Sequence, residues 1–126
     1  MKRRVVGFTL IEVIVVAMII GVLAVLAIPQ YFVTIEKFRS SEGASILTSL
    51  LAAEKRYFIE SETYTGNLNA LDVTIPAATL QYFNAPTVSG GDPIASISRN
   101  NGSYALSISL SGEISCAGAM CANLGY

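Results

Sequence analysis

The sequence contains no histidine and no tryptophan, and only two of its 126 residues are cysteines. A zinc site needs four ligands, so two cysteines without any histidine do not make one. Histidine is also the side chain that most often acts as a general acid or base. Asp72 and Asp92 stand alone in loop-like segments, and no catalytic triad or phosphate-binding loop is evident. We therefore expect a protein that is not an enzyme and needs no metal or cofactor.

Basic residues are few, and they are unevenly placed. Three of the eight, Lys2, Arg3 and Arg4, lie at the N-terminus, and the rest of the chain is acidic overall. No basic stripe remains that could follow a phosphate backbone. The sequence therefore gives no indication that nucleic acid is a partner.

A long apolar run follows these basic residues. Residues 8–28 are almost all apolar, and as a helix a run of this length spans about 30 Å, the thickness of a bilayer's hydrocarbon core. The basic leader predicts that the N-terminus stays in the cytoplasm while the remainder is exported. A secretory signal peptide and a permanent single-pass anchor are the ordinary alternatives. The run is long for a signal peptide, and Pro29 makes a poor context for cleavage after Ala27.

Glu12 is the exception within this run. A carboxylate inside a membrane helix costs a few kcal/mol and needs a partner or a role. If the chain were cut after Gly7, the new α-amine of Phe8 would be a positive charge at the head of an apolar helix. That amine and Glu12 would be positioned to neutralise each other between neighbouring chains.

The stretch GFTLIEV, from Gly7 to Val13, resembles the cleavage and methylation signature of type IV pilins and their relatives. The resemblance extends from the basic leader to the AIPQY segment at residues 27–31. It implies that a prepilin peptidase cuts between Gly7 and Phe8 and N-methylates Phe8. It also implies that Glu12 recruits the next subunit.

Gly21 and Pro29 are the two weakest helix positions in this segment. Glycine weakens a helix by roughly 1 kcal/mol and proline by about 3. We expect a bend near Pro29. In filaments of the family this stretch can lose its helical structure, and the sequence is compatible with that.

The remainder predicts an α+β fold of the type IV pilin kind. Apolar residues recur at helical spacing to about Glu60, and the charged residues between them are interpreted as a solvated face. Residues 68–71 indicate a short helical turn. Alternation in residues 104–110, a hairpin turn at Asn100–Gly102 and strands at residues 94–98 and 113–116 predict a small antiparallel sheet. This sheet would cover the apolar face of the long helix.

Cys116 and Cys121 have four residues between them, whereas catalytic redox pairs usually have two. A metal half-site and a redox pair remain alternatives, but export to an oxidising compartment favours a structural disulfide. Calcium binding through Asp92 and nearby carbonyls, as in some pseudopilins, is a further alternative.

Together these features predict three parts: a leader at 1–7, a membrane and filament-core helix at 8–29, and a soluble domain at 30–126. The predicted function is a structural subunit of a type IV pilus-like cell-surface filament. It would be a single-pass precursor in the inner membrane before the assembly machinery joins it to other copies in a helical homo-oligomer. A type II secretion pseudopilin, or a minor or DNA-uptake pilin, is the alternative within the family. A membrane-anchored exported binding module that never polymerises is the alternative of another class.

Overall fold

The computed structural model describes residues 7–75 and 79–126, so Lys2, Arg3, Arg4 and the rest of the predicted leader before Gly7 lie outside the described residues. Helix α1 spans Leu10–Ser61, close to the predicted limits of Phe8 and Glu60. The chain divides into two compact units, one ending at Thr34 and the other covering Ile35–Tyr126.

In the first unit the apolar side chains of α1 are exposed. By length and composition this part of the helix is able to cross a membrane. Tyr31 and Phe32, which helical spacing grouped with the apolar face, are more than half exposed. Phe38, in the second unit, is 72% exposed, so none of these three aromatic rings belongs to the core of the chain.

In the second unit α1 packs against a four-stranded antiparallel sheet. The strands are β1 (Thr87–Val88), β2 (Ala95–Ser98), β3 (Ala105–Ile108) and β4 (Ile114–Ala117), in the order β1-β2-β3-β4. A short helix, α2 (Cys121–Leu124), follows, and a 3-10 helix at Leu68–Ala70 matches the predicted helical turn. The α+β prediction is confirmed, and β2 to β4 lie where the sequence predicted strands.

The core lies between one face of α1 and the inner face of the sheet. Leu47 and Leu50 on the helix are fully buried, as are Leu106 and Ile108 on β3. The outer face of the sheet carries small hydroxyl side chains instead. Thr87, Ser96, Ser107 and Ser115 form one row across all four strands, in register.

A buried ionic cluster joins α1 to the sheet. The Arg99 guanidinium donates through Nε to Glu36 Oε1 and through Nη2 to Oε2 at 3.2 Å, and the Tyr104 hydroxyl donates to Oε1 at 3.1 Å. Glu36 and Arg99 are only 8% and 7% exposed. The prediction that Glu36 belongs to a solvated face was therefore wrong. Its partner comes from the hairpin more than sixty residues later, which helical periodicity does not reveal.

This cluster fixes the charge states of its members. The hydrogen bond from Arg99 lowers the pKa of the Glu36 carboxyl below its ordinary value, and this outweighs the opposing effect of burial. The same pairing raises the pKa of Arg99. Arg39 adds a hydrogen bond of 3.1 Å to Glu36 and lies over the Tyr82 ring. The two buried charges, Glu36 and Arg99, therefore have partners that make their burial tolerable.

Glu54 is a second carboxylate that was interpreted as a surface charge, and that interpretation was also wrong. The residue is fully buried, and its Oε2 accepts a hydrogen bond of 3.0 Å from the backbone N–H of Thr65. Its Oε1 has no hydrogen-bond partner among residues 7–75 and 79–126. Glu54 thus holds the loop that leaves α1, a role that no periodic pattern indicates.

The C-terminal tail is closed by a disulfide between Cys116 and Cys121, as the sequence favoured. The loop between them passes very close to the β2–β3 turn. A Cβ added to Gly118 would lie 2.5 Å from the carbonyl oxygen of Ser103 and 2.6 Å from the Cα of Tyr104. Gly118 also has a φ of +138°, a conformation that favours glycine. The disulfide loop therefore packs directly on the turn that carries Tyr104.

We predict that Gly118→Ala destabilises the second unit, because the clash is with backbone atoms that cannot move aside. Overpacking of this kind typically costs about 1–3 kcal/mol. The measurement is thermal unfolding of the detergent-solubilised chain. Gly91→Ala is the matched control, since a Cβ there meets no atom within 4 Å. Equal melting temperatures for the two variants would contradict the prediction.

We also predict that Glu36→Gln destabilises the fold, because it leaves the buried Arg99 without its countercharge. Breaking a buried pair in this way costs about 3–5 kcal/mol. Asp72→Asn is the control: it removes the partner of Arg56 in an ion pair whose side chains are 51% and 68% exposed, so its effect should be much smaller. Comparable losses in both variants would show that Glu36 and Arg99 do not join helix to sheet.

The same pair makes stability depend on pH in acid. The pKa of Glu36 is lower in the folded than in the unfolded chain, so its contribution is complete above the ordinary value of about 4.5. That contribution is lost as the pH falls through the folded-state pKa. Wild-type chain should therefore lose more stability below this pH than Glu36→Gln does. Parallel stability curves for the two proteins across that range would contradict this.

Candidate assembly site

The candidate site lies at the N-terminal end of α1 and is built from consecutive residues. Gly7, Phe8 and Thr9 precede the helix without regular structure, and the Phe8 side chain is 81% exposed. A Cβ added to Gly7 would meet no atom within 4 Å. The Gly7–Phe8 peptide is therefore not packed against any other part of the described chain.

Thr9 begins the helix by a recognised mechanism. Its hydroxyl accepts a hydrogen bond of 3.3 Å from the backbone N–H of Glu12, and its carbonyl accepts from the N–H of Val13 at 3.4 Å. Thr9 and Glu12 have the spacing of a capping box, in which threonine satisfies one of the free N–H groups of the first turn. The T-x-x-E pattern that signals this cap is present in the sequence at residues 9–12.

The backbone N–H of Glu12 is thus used in capping the helix. Its side-chain carboxylate does not take part in that hydrogen bond. It lies in the first turn of α1, where negative charge suits the helix dipole. No salt bridge reaches it from the described residues. An unpaired carboxylate is costly in an apolar environment. A cation that neutralises it must then come from the undescribed leader or from outside this chain.

Gly21 and Pro29 lie within α1, which is assigned as continuous through both positions. Pro29 has no N–H to donate, so the carbonyl of Val25 lacks its usual helical partner. A Cβ added to Gly21 would meet no atom within 4 Å, so no packing among residues 7–75 and 79–126 requires glycine there. Bending or unwinding at these residues stays a prediction.

The second unit carries no comparable site in the residues that the structure describes. Its crevice of about 120 Å³, beside the Arg56–Asp72 ion pair, is small against the roughly 300–1,000 Å³ of typical ligand pockets. Asp92, the candidate for calcium binding, accepts a hydrogen bond of 3.2 Å from the N–H of Leu110. No group of three or more metal-ligating side chains occurs in the described ranges.

Comparison with known proteins agrees with the N-terminal geometry. Residues 3–28 match the family model described as the prokaryotic N-terminal methylation motif. The chain is 38% identical over 65 residues to the type IV major pilin protein PilA of Myxococcus xanthus. It is 35% identical over 78 residues to the type II secretion system core protein G of Aeromonas hydrophila, and 35% identical over 79 residues to that of Escherichia coli. No solved structure gave a significant match.

These alignments are partial. The match covers 52% of this chain and 30% of the Myxococcus pilin, and 62% of this chain and 54% of the Aeromonas protein. The chain thus spans about a third to a half of the length of the curated relatives that it matches. The resemblance predicted from Gly7, Phe8 and Glu12 is confirmed: the chain carries the prokaryotic N-terminal methylation motif, and it is similar to a type IV major pilin and to type II secretion core proteins G.

Proposed function

We propose that this chain is the structural subunit of a type IV pilus-like filament on the cell surface. A prepilin peptidase would cut it after Gly7 and methylate Phe8, and the inner-membrane assembly machinery would add it to a helical homo-oligomer. The observation that carries this proposal is the Gly7–Phe8 junction followed by Glu12 at the head of an exposed apolar helix.

Before assembly, the apolar half of α1 would lie in the bilayer. Its side chains are exposed in the isolated chain, so they need either lipid or other helices around them. These side chains are already out of water in lipid. The hydrophobic effect alone therefore contributes little free energy to moving the subunit from the membrane into a filament. Packing between helices and the pairing of charges would supply the favourable free energy for this transfer.

Cleavage would supply the missing charge. Cutting after Gly7 makes Phe8 the N-terminus, and its amine would become a cation one helical turn before Glu12. Between copies offset along a filament, the amine of one chain and the Glu12 carboxylate of the next would neutralise each other. In a low-dielectric environment neither the Phe8 amine nor the Glu12 carboxylate is tolerated without the other. Their pairing would therefore fix the axial offset between neighbouring copies.

The two predicted parts of the mature chain would have different roles. Residues 8–29 would form the filament core, and residues 30–126 would form the surface domain. In the surface domain the Glu36–Arg99 cluster and the buried core hold the sheet against α1 without help from a neighbouring copy. The subunit would thus reach the assembly machinery with its outer domain already folded.

A pseudopilin of a type II secretion system is the second candidate, and the similarity to the core proteins G favours it. A minor or DNA-uptake pilin shares the same processing. Finding this chain as the main protein of sheared surface filaments would support the first candidate. Loss of exoprotein secretion on deletion, without loss of surface filaments, would favour the pseudopilin.

A membrane-anchored module that never polymerises is the rival of another class. Mass spectrometry of the native protein separates it from the filament subunit. A chain that begins at a methylated Phe8 supports the proposal. An intact leader on a monodisperse monomer would overturn it.

We predict that Gly7→Glu blocks processing, because a long, charged side chain then occupies the position before the cut. The expected result is a full-length precursor held in the membrane, detected by its mass. Gly21→Ala is the control, since it changes a glycine in open space away from the junction. Mature-length chain from Gly7→Glu would contradict the cleavage site.

We predict that Glu12→Val is inserted and cut normally but joins filaments poorly. Valine costs less free energy in the membrane than glutamate, so the variant should be inserted at least as well as the wild type. Removing one member of a buried pair leaves the other unpaired, at about 3–5 kcal/mol. The measurement pairs subunit abundance in membranes with filament mass sheared from cells.

Two further variants make this test sharper. Glu12→Gln keeps the shape and removes the charge, so it should fail like valine. Thr9→Ala removes the capping hydroxyl but keeps the carboxylate, and it should assemble far better than either. Normal filament mass in Glu12→Val cells would show that the carboxylate does not recruit the next subunit.

A further inference from the structure

The turn between β2 and β3 contains an asparagine followed by a glycine. Asn101 and Gly102 are both exposed, and Gly102 has a φ of +71°. The N–H of Gly102 donates to the carbonyl of Arg99 at 2.9 Å, which closes the turn. A Cβ added to Gly102 would meet no atom within 4 Å, so neither a side chain nor a neighbouring group crowds this residue.

The side-chain amide of Asn101 is held and polarised by its neighbour. Its Oδ1 accepts hydrogen bonds from the N–H of Ser103 at 3.0 Å and from the Ser103 hydroxyl at 2.7 Å. Two donors on one carbonyl oxygen stabilise negative charge that develops there, as an oxyanion hole does. The carbon of this amide is therefore activated toward attack by a nucleophile.

We propose that Asn101 is a site of spontaneous deamidation, which converts the β2–β3 turn from neutral to acidic. The Gly102 N–H releases the Arg99 carbonyl and gives its proton to a solvent base, and the nitrogen then attacks Cγ of Asn101. The Cγ–Nδ2 bond breaks, ammonia leaves, and a five-membered succinimide forms. Water then opens the ring to aspartate or isoaspartate, so the net reaction is asparagine plus water to aspartate plus ammonia, without any oxidant or reductant.

The chain supplies its own comparison for this chemistry. Asn67 forms the same kind of turn, with its Oδ1 accepting from the N–H of Asn69 at 3.0 Å. The next residue there is Leu68, whose side chain crowds the nitrogen that must attack, and no hydroxyl of a described residue adds a second hydrogen bond to Oδ1. Asn101 differs from Asn67 in these two respects, and both favour ring closure at Asn101.

The two products have different consequences for the fold. Aspartate at position 101 keeps an acceptor for both Ser103 donors, and its charge strengthens those bonds. Isoaspartate adds a methylene to the main chain between Arg99 and Tyr104. These two residues are hydrogen-bonded to each other across the turn, and both contact Glu36. The isoaspartyl product should therefore be the less stable protein.

The experiment is incubation of the full chain in detergent at mildly alkaline pH, followed by peptide mass spectrometry. The expected result is replacement of NH₂ by OH at Asn101, several-fold faster than at Asn67. Ser103→Ala removes the hydroxyl donor but keeps the backbone N–H, and it should slow the reaction at Asn101 several-fold without changing Asn67. Asn101→Asp serves as the mass and charge standard for the product.

Two results would overturn the proposal. One is equal deamidation at Asn101 and Asn67, which would show that the Asn-Gly turn has no special reactivity. The other is an unchanged rate in Ser103→Ala chain that melts like the wild type, which would show that the Ser103 hydroxyl does not activate the amide. Both readouts are independent of processing and filament assembly, so they do not depend on the proposed function.

Discussion

The burial of one face of helix α1 between Ile46 and Ala53 is the interaction on which the rest of the soluble fold depends. A four-stranded sheet with strands of two to four residues cannot form a core by itself. It needs an apolar surface to cover, and the helix provides one. Since the strands are so short, the helix also has to hold the sheet by polar contacts. Arg99, at the end of β2, does this by reaching Glu36.

The same helix has to meet a second condition in its first half. There its side chains are apolar on all sides, and nothing in the described chain covers them. An element that is apolar all round is stable only in lipid or among other helices. One continuous helix thus combines a segment that no described residue covers with a segment whose partners lie within the chain. Glu12 belongs to the first segment, and Glu36 and Glu54 belong to the second.

The sequence was sufficient wherever the information is local or periodic. The long helix, the hairpin at Asn100–Gly102 and the strand from Ala105 follow from spacing and turn chemistry, and the structure agrees. The motif at Gly7 to Glu12 was recognisable because its residues are contiguous. Its processing and its role in assembly stay predictions, since they depend on an enzyme and on other copies of the chain.

The failures were of the opposite kind. Glu36 and Glu54 carry the polarity of surface residues, and only distant partners, Arg99 and Thr65, make their burial tolerable. The two-residue strand β1 offers too few positions for alternation to be seen. Phe38 was predicted to pack either in the core or in a filament, and its exposure excludes the core of this chain.

The row of Thr87, Ser96, Ser107 and Ser115 on the outer face of the sheet has a consequence for how such a protein diverges. Inner and outer residues alternate along each strand. The residues that form the core and the residues that form the outer surface therefore occupy different sequence positions. Small hydroxyl side chains contribute little packing, and replacing them leaves Ile97, Leu106 and Ile108 untouched. Under selection for a different outer surface, residues on this face can therefore be substituted while the core residues stay the same.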